Sequence, residues 1–268
     1  MSKKIGLIAG RSRYPLLLAE AAKKQGVSVF AVGIKGETLP ELANYVSEVY
    51  WLDIGEWDKL IGLLKRAGIK EAIMAGGISK TLLFRNDLHL DRTVLEILNS
   101  LKDKRDMSIL NAFAQQLKNE GIELLDATLF LEDLLPGKGG LTERLPNSGE
   151  WEDIKFGWDI AKEIARLDIG MTVVVKNKVV LAVEAMEGTD ETIRRGASLG
   201  GEGTVVIKVS RFAQDKRFDL PVIGQETIKV LREVKARVLA IEAGEVIFID
   251  RAIAIEEANK AGLAIVAL

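Results

Sequence analysis

Acidic side chains cluster where one apolar run of the sequence ends. The run that begins near Val179 stops at Glu184, and Glu187 and Asp190 follow it closely. Carboxylate oxygens are hard ligands, which suit Mg²⁺, Mn²⁺ or Ca²⁺. Glu184, Glu187 and Asp190 are therefore candidate metal ligands.

The same stretch also has the pattern of a helix start. Thr189 occupies an N-cap position, and Asp190 and Glu191 fall in the first turn, where the helix dipole favours acids. A helix start does not explain Glu184, because Glu184 precedes the helix. Farther on, the guanidinium of Arg194 has the geometry to bind a phosphate through two hydrogen bonds. Two interpretations stay open: a helix start with surface charge, or a site for a metal ion and a phosphate, with Thr189 and Arg194 contacting substrate.

A further acid stands inside an apolar segment of the second half, FDLPVIG. This acid is Asp219. Burying a carboxylate is costly unless it has a partner. Asp219 is therefore a candidate metal ligand or general base.

Two glycine turns follow predicted strands in the first half. The first, Gly10 with Arg11 and Ser12, lies between a strand and a helix pattern, which is the context of a phosphate site. It matches neither the GxGxxG nor the P-loop motif, so a tight strand-to-helix turn is the alternative. The second turn is Gly76-Gly77, for which a simple hinge is the alternative. Since the carboxyl ends of parallel strands share one edge, the two turns are expected to face one crevice and contact substrate.

Composition excludes several classes of protein. The chain has 268 residues, no cysteine, one histidine and a net charge of −2. Disulfides, cysteine-based metal centres and a thiol nucleophile are excluded, so a bound metal must have oxygen ligands. The near-neutral charge gives no reason to expect nucleic-acid binding. No apolar run is long enough for a membrane span, and the N-terminus does not resemble a signal peptide, so a cytoplasmic protein is expected.

The order of predicted elements indicates an α/β protein with two domains. Alternating strands and helices predict a Rossmann-like N-terminal domain with a parallel sheet over residues 1–135. Residues 136–150, with two prolines and four glycines, are predicted to be a linker. A separate α/β domain is predicted over residues 151–268. It opens with an amphipathic helix at Trp151 and continues with a hairpin. Glu71–Ala75 and Val238–Ile241 are predicted as strands, residues 128–131 as a short extended segment, and FDLPVIG as an irregular segment.

Four motifs together resemble a known family. IGLIAG, ARLDIGMTVVV, VLAVEAMEGTDETIRR and FDLPVIGQETI are similar to motifs of the LpxI-type UDP-2,3-diacylglucosamine pyrophosphatases of lipid A biosynthesis, and the resemblance covers essentially the whole chain. It implies hydrolysis of UDP-2,3-diacylglucosamine to UMP and 2,3-diacylglucosamine 1-phosphate (lipid X). It also implies a divalent metal, typically Mg²⁺, and a ligand held between two domains. The Arg11-Ser12-Arg13 turn departs from the family, whose members have a more glycine-rich turn.

The resemblance also implies roles for individual residues. Asp219 matches the essential aspartate of the family by its DLPxIG context, as metal ligand or general base. Glu184, Glu187 and Asp190 would then bind the metal or lie just behind its ligands. The implied partner is a lipid-linked UDP-sugar, which is compatible with peripheral contact at the inner membrane surface. Assembly into a homo-oligomer stays open.

Two other functions compete with this interpretation. A nicotinamide-dependent oxidoreductase would explain the Rossmann-like half, but the glycine fingerprint is absent and Glu37 is the best candidate for a ribose-binding acid. A non-catalytic module that binds a nucleotide sugar or a phospholipid headgroup would bind ligand without forming product.

Overall fold

The computed structural model describes residues 3–79, 88–211, 215–218 and 220–268. The chain divides into two compact units. The first comprises Met1–Glu132 and Asp215–Asp219, and the second Asp133–Gln214 and Leu220–Leu268. Residues 136–150, the predicted linker, fall within the second unit. The predicted fold class is confirmed: each unit is α/β, and the first contains a parallel sheet.

The first unit is built on a five-stranded parallel sheet. Its central strands are nearly continuous apolar runs, as expected for strands covered on both faces. The strands are β1 (Lys4–Ala9), β2 (Ser28–Ile34), β3 (Glu48–Leu52), β4 (Glu71–Ala75) and β5 (Glu123–Leu124). Their spatial order is β3-β2-β1-β4-β5.

This strand order creates a switch point beside β1. The chain goes from β1 to β2 on one side and later enters β4 on the other. Sheets of this type bind ligands beyond the carboxyl ends of the two strands that flank such a point. The turns after β1 and β4 are the two glycine turns.

Helices cover the first sheet. One packs against β1, β2 and β4, and the others contribute to a core that includes Phe30 and Leu64. The helices are α1 (Tyr14–Lys24), α2 (Trp57–Arg66), α3 (Arg92–Ser100) and α4 (Asp106–Asn119), with a short 3-10 helix at Pro40–Asn44. Phe218, from the late segment of the chain, is 2% exposed in the same core.

The second unit contains a six-stranded mixed sheet and a two-stranded parallel sheet. The strands of the larger sheet are β6 (Gly139–Gly140), β7 (Thr172–Lys176), β8 (Val179–Val183), β9 (Val205–Lys208), β11 (Val238–Ile241) and β13 (Ala264–Ala267). Their order is β6-β13-β11-β9-β7-β8. The smaller sheet pairs β10 (Val222–Ile223) with β12 (Ile247–Phe248).

Alternation along the strands divides the second core in two. On β9, Val205 and Ile207 pack with the first helix of the unit, whereas Val206 packs with its three later helices. Lys208 follows on the same side as Val206. The helices are α5 (Ser148–Arg166), α6 (Thr189–Gly200), α7 (Gln225–Glu233) and α8 (Arg251–Lys260), and a 3-10 helix spans Glu132–Leu134.

Local signals explain how two of these elements begin or turn. Asn147 and Glu150 form a reciprocal capping box, so α5 begins at Ser148, before the predicted start at Trp151. The hairpin β7–β8 turns through Asn177 and Lys178, whose φ angles of +51° and +58° suit a type I′ turn.

Two predicted segments differ in the structure. Residues 128–131, predicted as extended, form a turn because Asp126 Oδ1 accepts hydrogen bonds from the backbone N–H (2.7 Å) and hydroxyl (2.6 Å) of Thr128. FDLPVIG, predicted as irregular, contains β10, whose pairing with a distant strand leaves no local signal. No helix within the described ranges is long and apolar enough to cross a membrane.

Candidate functional site

The two glycine turns of the first unit contact each other through their backbones. The Gly10 N–H donates to the Ala75 carbonyl (2.8 Å), and the Arg11 N–H donates to the Gly77 carbonyl (2.8 Å). A Cβ on Gly10 would lie 2.3 Å from the Gly77 oxygen. The structure therefore brings together Gly10, Arg11, Gly76 and Gly77, as expected from their positions at the strand ends.

Two features of the structure require glycine at position 76. Its φ of +82° is a conformation that other residues rarely adopt. A Cβ there would also lie 2.3 Å from the Arg11 carbonyl oxygen. Close backbone approach, rather than a fingerprint motif, explains this pair of turns.

The same contacts limit which groups could donate hydrogen bonds to a bound anion. The backbone N–H groups of Gly10 and Arg11 are already used, so the donors must be other groups. Arg11 is exposed, and its Nε lies 3.8 Å from where a Cβ of Gly77 would be. Arg13 is the N-cap of α1, and the first turn of α1 contains no acid. Cations at a helix start are unfavourable by themselves, but they suit a bound anion.

Ser12 occupies a strained position in this turn. Its φ is +79°, which is uncommon for a residue with a side chain. Its Oγ accepts a hydrogen bond from the Tyr14 N–H at the start of α1 (3.3 Å). Strained residues of this kind concentrate at functional sites, which favours the predicted substrate contact.

Two residues after β2 hold the end of β1 and the turn after β4. We refer to this region, with the two paired glycine turns, as the crevice, because the sequence predicts a crevice there. Thr38 Oγ1 donates to the Ala9 carbonyl (2.5 Å) and accepts from the Ile34 N–H (2.8 Å). Glu37 Oε2 accepts from the Ser79 N–H (2.8 Å) and so links the end of β2 to the turn after β4. Sequence reasoning did not identify Thr38, since a threonine in a loop has no distinctive pattern.

In the second unit, Glu184 lies buried just after β8. Its Oε1 accepts from the Thr189 hydroxyl (3.0 Å), and its Oε2 accepts from the Met171 N–H (3.1 Å). The side chain of Glu184 is 10% exposed. Both of its oxygens therefore have protein partners.

A lysine that the sequence interpretation missed lies beside Glu184. Lys208 is 3% exposed, and its Nζ is 3.9 Å from Glu184 Oε2. The ammonium donates to the hydroxyls of Thr189 (2.7 Å) and Thr172 (3.3 Å). The available signal was a lone charge within the apolar run VVIKV. We refer to Lys208, Glu184, Thr172 and Thr189 as the lysine cluster.

The surroundings shift the pKa values of two nearby acids in opposite directions. Burial alone would raise the pKa of Glu184, but Lys208 and the hydrogen-bond donors outweigh burial and leave this pKa below its ordinary value. Burial raises the pKa of Asp190, and Lys208 and the Thr227 hydroxyl offset only part of that effect. The partners of Glu184 thus outweigh the effect of burial on its pKa, whereas those of Asp190 do not.

The remaining charges of the acidic stretch pair with one another. Glu187 Oε1 accepts from Arg195, and Arg194 pairs with Glu191 (2.8 Å) and Glu233 (3.4 Å). Gly188, rather than Thr189, is the N-cap of α6. Thr189 is instead the first helical residue, and its hydroxyl lies in the lysine cluster.

The described acids fit a metal ion poorly. Over the described ranges, no three acidic, histidine or cysteine side chains converge as a metal site requires. Glu184 already faces an ammonium, and Glu187 faces a guanidinium. Asp219 lies outside the described residues. The ligand set of Asp219, Glu184, Glu187 and Asp190 therefore stays a prediction, with Glu184 and Glu187 poorly suited to direct contact.

The residues that flank Asp219 are well anchored. Before it, the Lys216 carbonyl accepts from the Ala127 N–H (2.8 Å), and Phe218 lies in the core of the first unit. After it, the Pro221 carbonyl accepts from the Ile247 N–H (2.8 Å). Neighbouring residues on both sides of Asp219 are thus fixed by backbone or core contacts.

A second polar network lies beyond the end of β9. Lys162 donates to both carboxylate oxygens of Glu242 (2.9 Å each), and Ser210 donates to Glu242 through its N–H and its hydroxyl (2.7 Å each). Arg211 pairs with Asp168 (2.7 Å), and both side chains are less than one-tenth exposed. The chain that leaves β9 is therefore held by one buried ion pair and by a partly buried carboxylate.

These features define a two-unit α/β protein whose first unit is a Rossmann-like domain with paired glycine turns at its switch point. The sequence matches the LpxI N-terminal domain over residues 4–134 and the LpxI C-terminal domain over residues 137–266. The chain therefore belongs to the LpxI family, which confirms the resemblance seen in its motifs.

Individual known proteins are similar to different degrees. UDP-2,3-diacylglucosamine pyrophosphatase LpxI of Caulobacter vibrioides is 32% identical over 274 residues, which cover 97% of this chain and 96% of that protein. Among solved structures, the biotin carboxylase domain of Hydrogenobacter thermophilus 2-oxoglutarate carboxylase has a TM-score of 0.29 and 14% identity, covering 75% of this chain and 41% of that chain. An N5-carboxyaminoimidazole ribonucleotide synthetase has a TM-score of 0.30 and 12% identity, covering 77% and 41%. Likenesses this weak carry no argument.

Proposed function

We propose that this protein hydrolyses the diphosphate of UDP-2,3-diacylglucosamine and releases UMP and 2,3-diacylglucosamine 1-phosphate. Membership of the LpxI family and the name of its Caulobacter relative support this substrate. The observation that carries the proposal is the pair of glycine turns at the β1/β4 switch point, beside an acid-free helix start and the exposed Arg11. A diphosphate is an anion that suits such a position.

The reaction adds one water molecule across the P–O–P bridge. The water oxygen bonds to one phosphorus, the bridging oxygen leaves with the other, and two phosphomonoesters result. The protein must offset charge on the phosphate oxygens and activate the water. In this proposal, Arg11, Ser12 and the start of α1 hold one phosphate group. Arg194, exposed near the start of α6, contributes a further contact.

We propose that the reaction also needs Mg²⁺ or Mn²⁺. A bound divalent cation would neutralise phosphate oxygens and lower the pKa of a water molecule. Asp219 is the first candidate to hold it or to act as base, and Asp190 is the second because burial leaves its charge incompletely compensated. No direct bond from Glu184 or Glu187 to the cation is part of this proposal.

The test is release of UMP from purified protein with UDP-2,3-diacylglucosamine, with Mg²⁺ and with EDTA. We expect UMP with Mg²⁺ and none with EDTA. Asp219→Ala should still bind substrate but release no UMP. Asp215→Ala is the matched control, since Asp215 lies in the same segment and pairs with Arg217 instead; it should keep most of the activity.

Three outcomes would contradict parts of the proposal. Full activity in Asp219→Ala would remove that residue from the mechanism. Activity in EDTA would remove the metal. Binding without UMP release by the wild-type protein would favour the binding module. Peripheral membrane contact and self-association remain predictions of the sequence.

A further inference from the structure

The lysine cluster contains an ammonium at an electrostatically unfavourable place. Lys208 lies directly opposite Thr172 in the pairing of β9 with β7. Its Nζ donates to Thr189, the first residue of α6. The start of a helix carries partial positive charge, so a buried cation there is opposed by the helix dipole. The negative charge of Glu184 offsets this unfavourable interaction between Lys208 and the helix dipole.

Stability alone does not account for this arrangement. A buried ion pair is commonly no more stabilising than an apolar pair of similar volume. The strands and helices around Lys208 supply such apolar packing, as at Val206 and Ile193. The distinctive property of Lys208 is therefore the geometry that its hydrogen bonds impose on the start of α6.

The start of α6 has no side-chain cap, and within the helix the Thr192 hydroxyl donates to the Gly188 carbonyl (2.9 Å). Its N-cap is Gly188, with φ of +82° and no side chain to form a cap. The Thr189 hydroxyl is held from both sides, because it donates to Glu184 and accepts from Lys208. Asp190 follows immediately, and Arg194 lies one turn farther along the helix. Displacement of Thr189 would move both of these residues.

We propose that Lys208 is a positioning residue: it supplies the cation beside Glu184, where the sequence suggested a metal, and fixes the first turn of α6 through Thr189. The consequence for turnover rests on the proposed function. The consequences for metal binding and for local order do not.

The first experiment uses Lys208→Met, Glu184→Gln and the double variant. Lys208→Met alone should lower the denaturation midpoint, because it leaves a buried carboxylate without its cation. The double variant should recover the midpoint. Its kcat for UMP release should nevertheless stay about 100-fold low, with little change in KM, because the helix start is no longer held in place. Recovery of kcat together with the midpoint would overturn the proposal.

A second ion pair in the same unit provides the matched control. Lys162 and Glu242 also form a lysine–glutamate ion pair, and neither residue belongs to the proposed site. Lys162→Met with Glu242→Gln should recover the midpoint and kcat together. An equal loss of kcat in both double variants would show that Lys208 has no special role.

Two readouts need no substrate, so they separate this inference from the proposed function. Amide hydrogen exchange across residues 188–192 should be at least about tenfold faster in the Lys208/Glu184 double variant, even where the midpoint has recovered. Unchanged exchange would overturn the positioning role, whether or not UMP is formed. Titration with Mn²⁺ should give the same affinity for Glu184→Gln and wild type, or no binding in either. A tenfold weaker affinity in Glu184→Gln would return Glu184 to the metal ligands.

Discussion

The crevice of the first unit and the lysine cluster of the second handle charge in opposite ways. In the crevice, backbone hydrogen bonds hold two glycine turns together, and the cations beside them are exposed. In the lysine cluster, both signs of charge are buried and satisfy each other. The crevice therefore presents the exposed Arg11 side chain beside its backbone contacts, whereas the cluster uses its charge to fix a helix start.

This difference changes how each region should respond to mutation. The crevice depends on the absence of side chains at Gly10 and Gly76, so added atoms should damage it. The polar interior of the second unit depends on matched partners, so removal of one charge should damage it. Exposed cations at the crevice should influence binding and hardly influence folding.

The largest expected effect comes from a methyl group in the crevice. Gly76→Ala would need an unfavourable φ and a contact of 2.3 Å with the Arg11 carbonyl oxygen. We expect a loss of about 3 kcal/mol or more in the free energy of unfolding, measured by urea denaturation. Gly121→Ala is the control, because Gly121 has a similar φ of +76° with open space around it, and should lose only about 1 kcal/mol. Equal losses would mean that the close approach of the turns contributes nothing.

A smaller effect concerns the acids of the second unit and depends on pH. Burial would by itself raise the pKa of Glu242, but hydrogen bonds from Ser210 and Lys162 outweigh burial and hold this pKa below its ordinary value of 4.5. Such a carboxylate stabilises the fold above pH 4.5, and its contribution is lost as the pH falls through the folded-state pKa. Glu242→Gln should therefore cost about 1–3 kcal/mol at pH 7. The difference from wild type should shrink only as the pH falls below 4.5.

Denaturation at a series of pH values measures this difference. Glu163→Gln is the matched control, since Glu163 is 63% exposed in its pair with Arg166 and should differ from wild type by under about 0.5 kcal/mol throughout. A difference for Glu242→Gln that stays constant with pH would show that its charge is not what stabilises the unit.

The smallest effect on folding is expected at the exposed cations of the crevice. Arg11→Ala should weaken UMP binding about tenfold, because it removes a charged hydrogen-bond donor, while the free energy of unfolding changes by under about 0.5 kcal/mol. Isothermal titration calorimetry measures the affinity. Lys23→Ala, at the other end of α1, should bind UMP as wild type does. Equal affinities for the two variants would place the phosphate elsewhere.

The sequence predicted the parts of the fold that depend on local pattern. The strands Glu71–Ala75 and Val238–Ile241 match their predicted bounds, because each is a short apolar run with clear breaks. The pairing of β10 with β12 was not predicted, since it joins distant segments of only two residues each. The assignment of Asp215–Asp219 to the first unit was likewise invisible in a linear sequence.

In the candidate site, too, the sequence predicted the features that depend on local pattern and missed those that join distant segments. Glycines at strand ends predicted that the two turns would lie together, because their position is a local property of the chain. The role of Lys208 was missed because its partners belong to other strands and to α6, which no spacing rule connects. For the same reason the sequence predicts a metal ligand at Glu184 without indicating the ammonium beside it.

The burial of Phe218 also has a consequence for the order of synthesis. This ring fills the core of the first unit, yet it is encoded more than eighty residues after Glu132, where the rest of that unit ends. A ribosome must therefore complete most of the second unit before the first can close its core. If the chain were divided after residue 132, the first fragment would have a cavity in its core. The second fragment would expose the ring of Phe218.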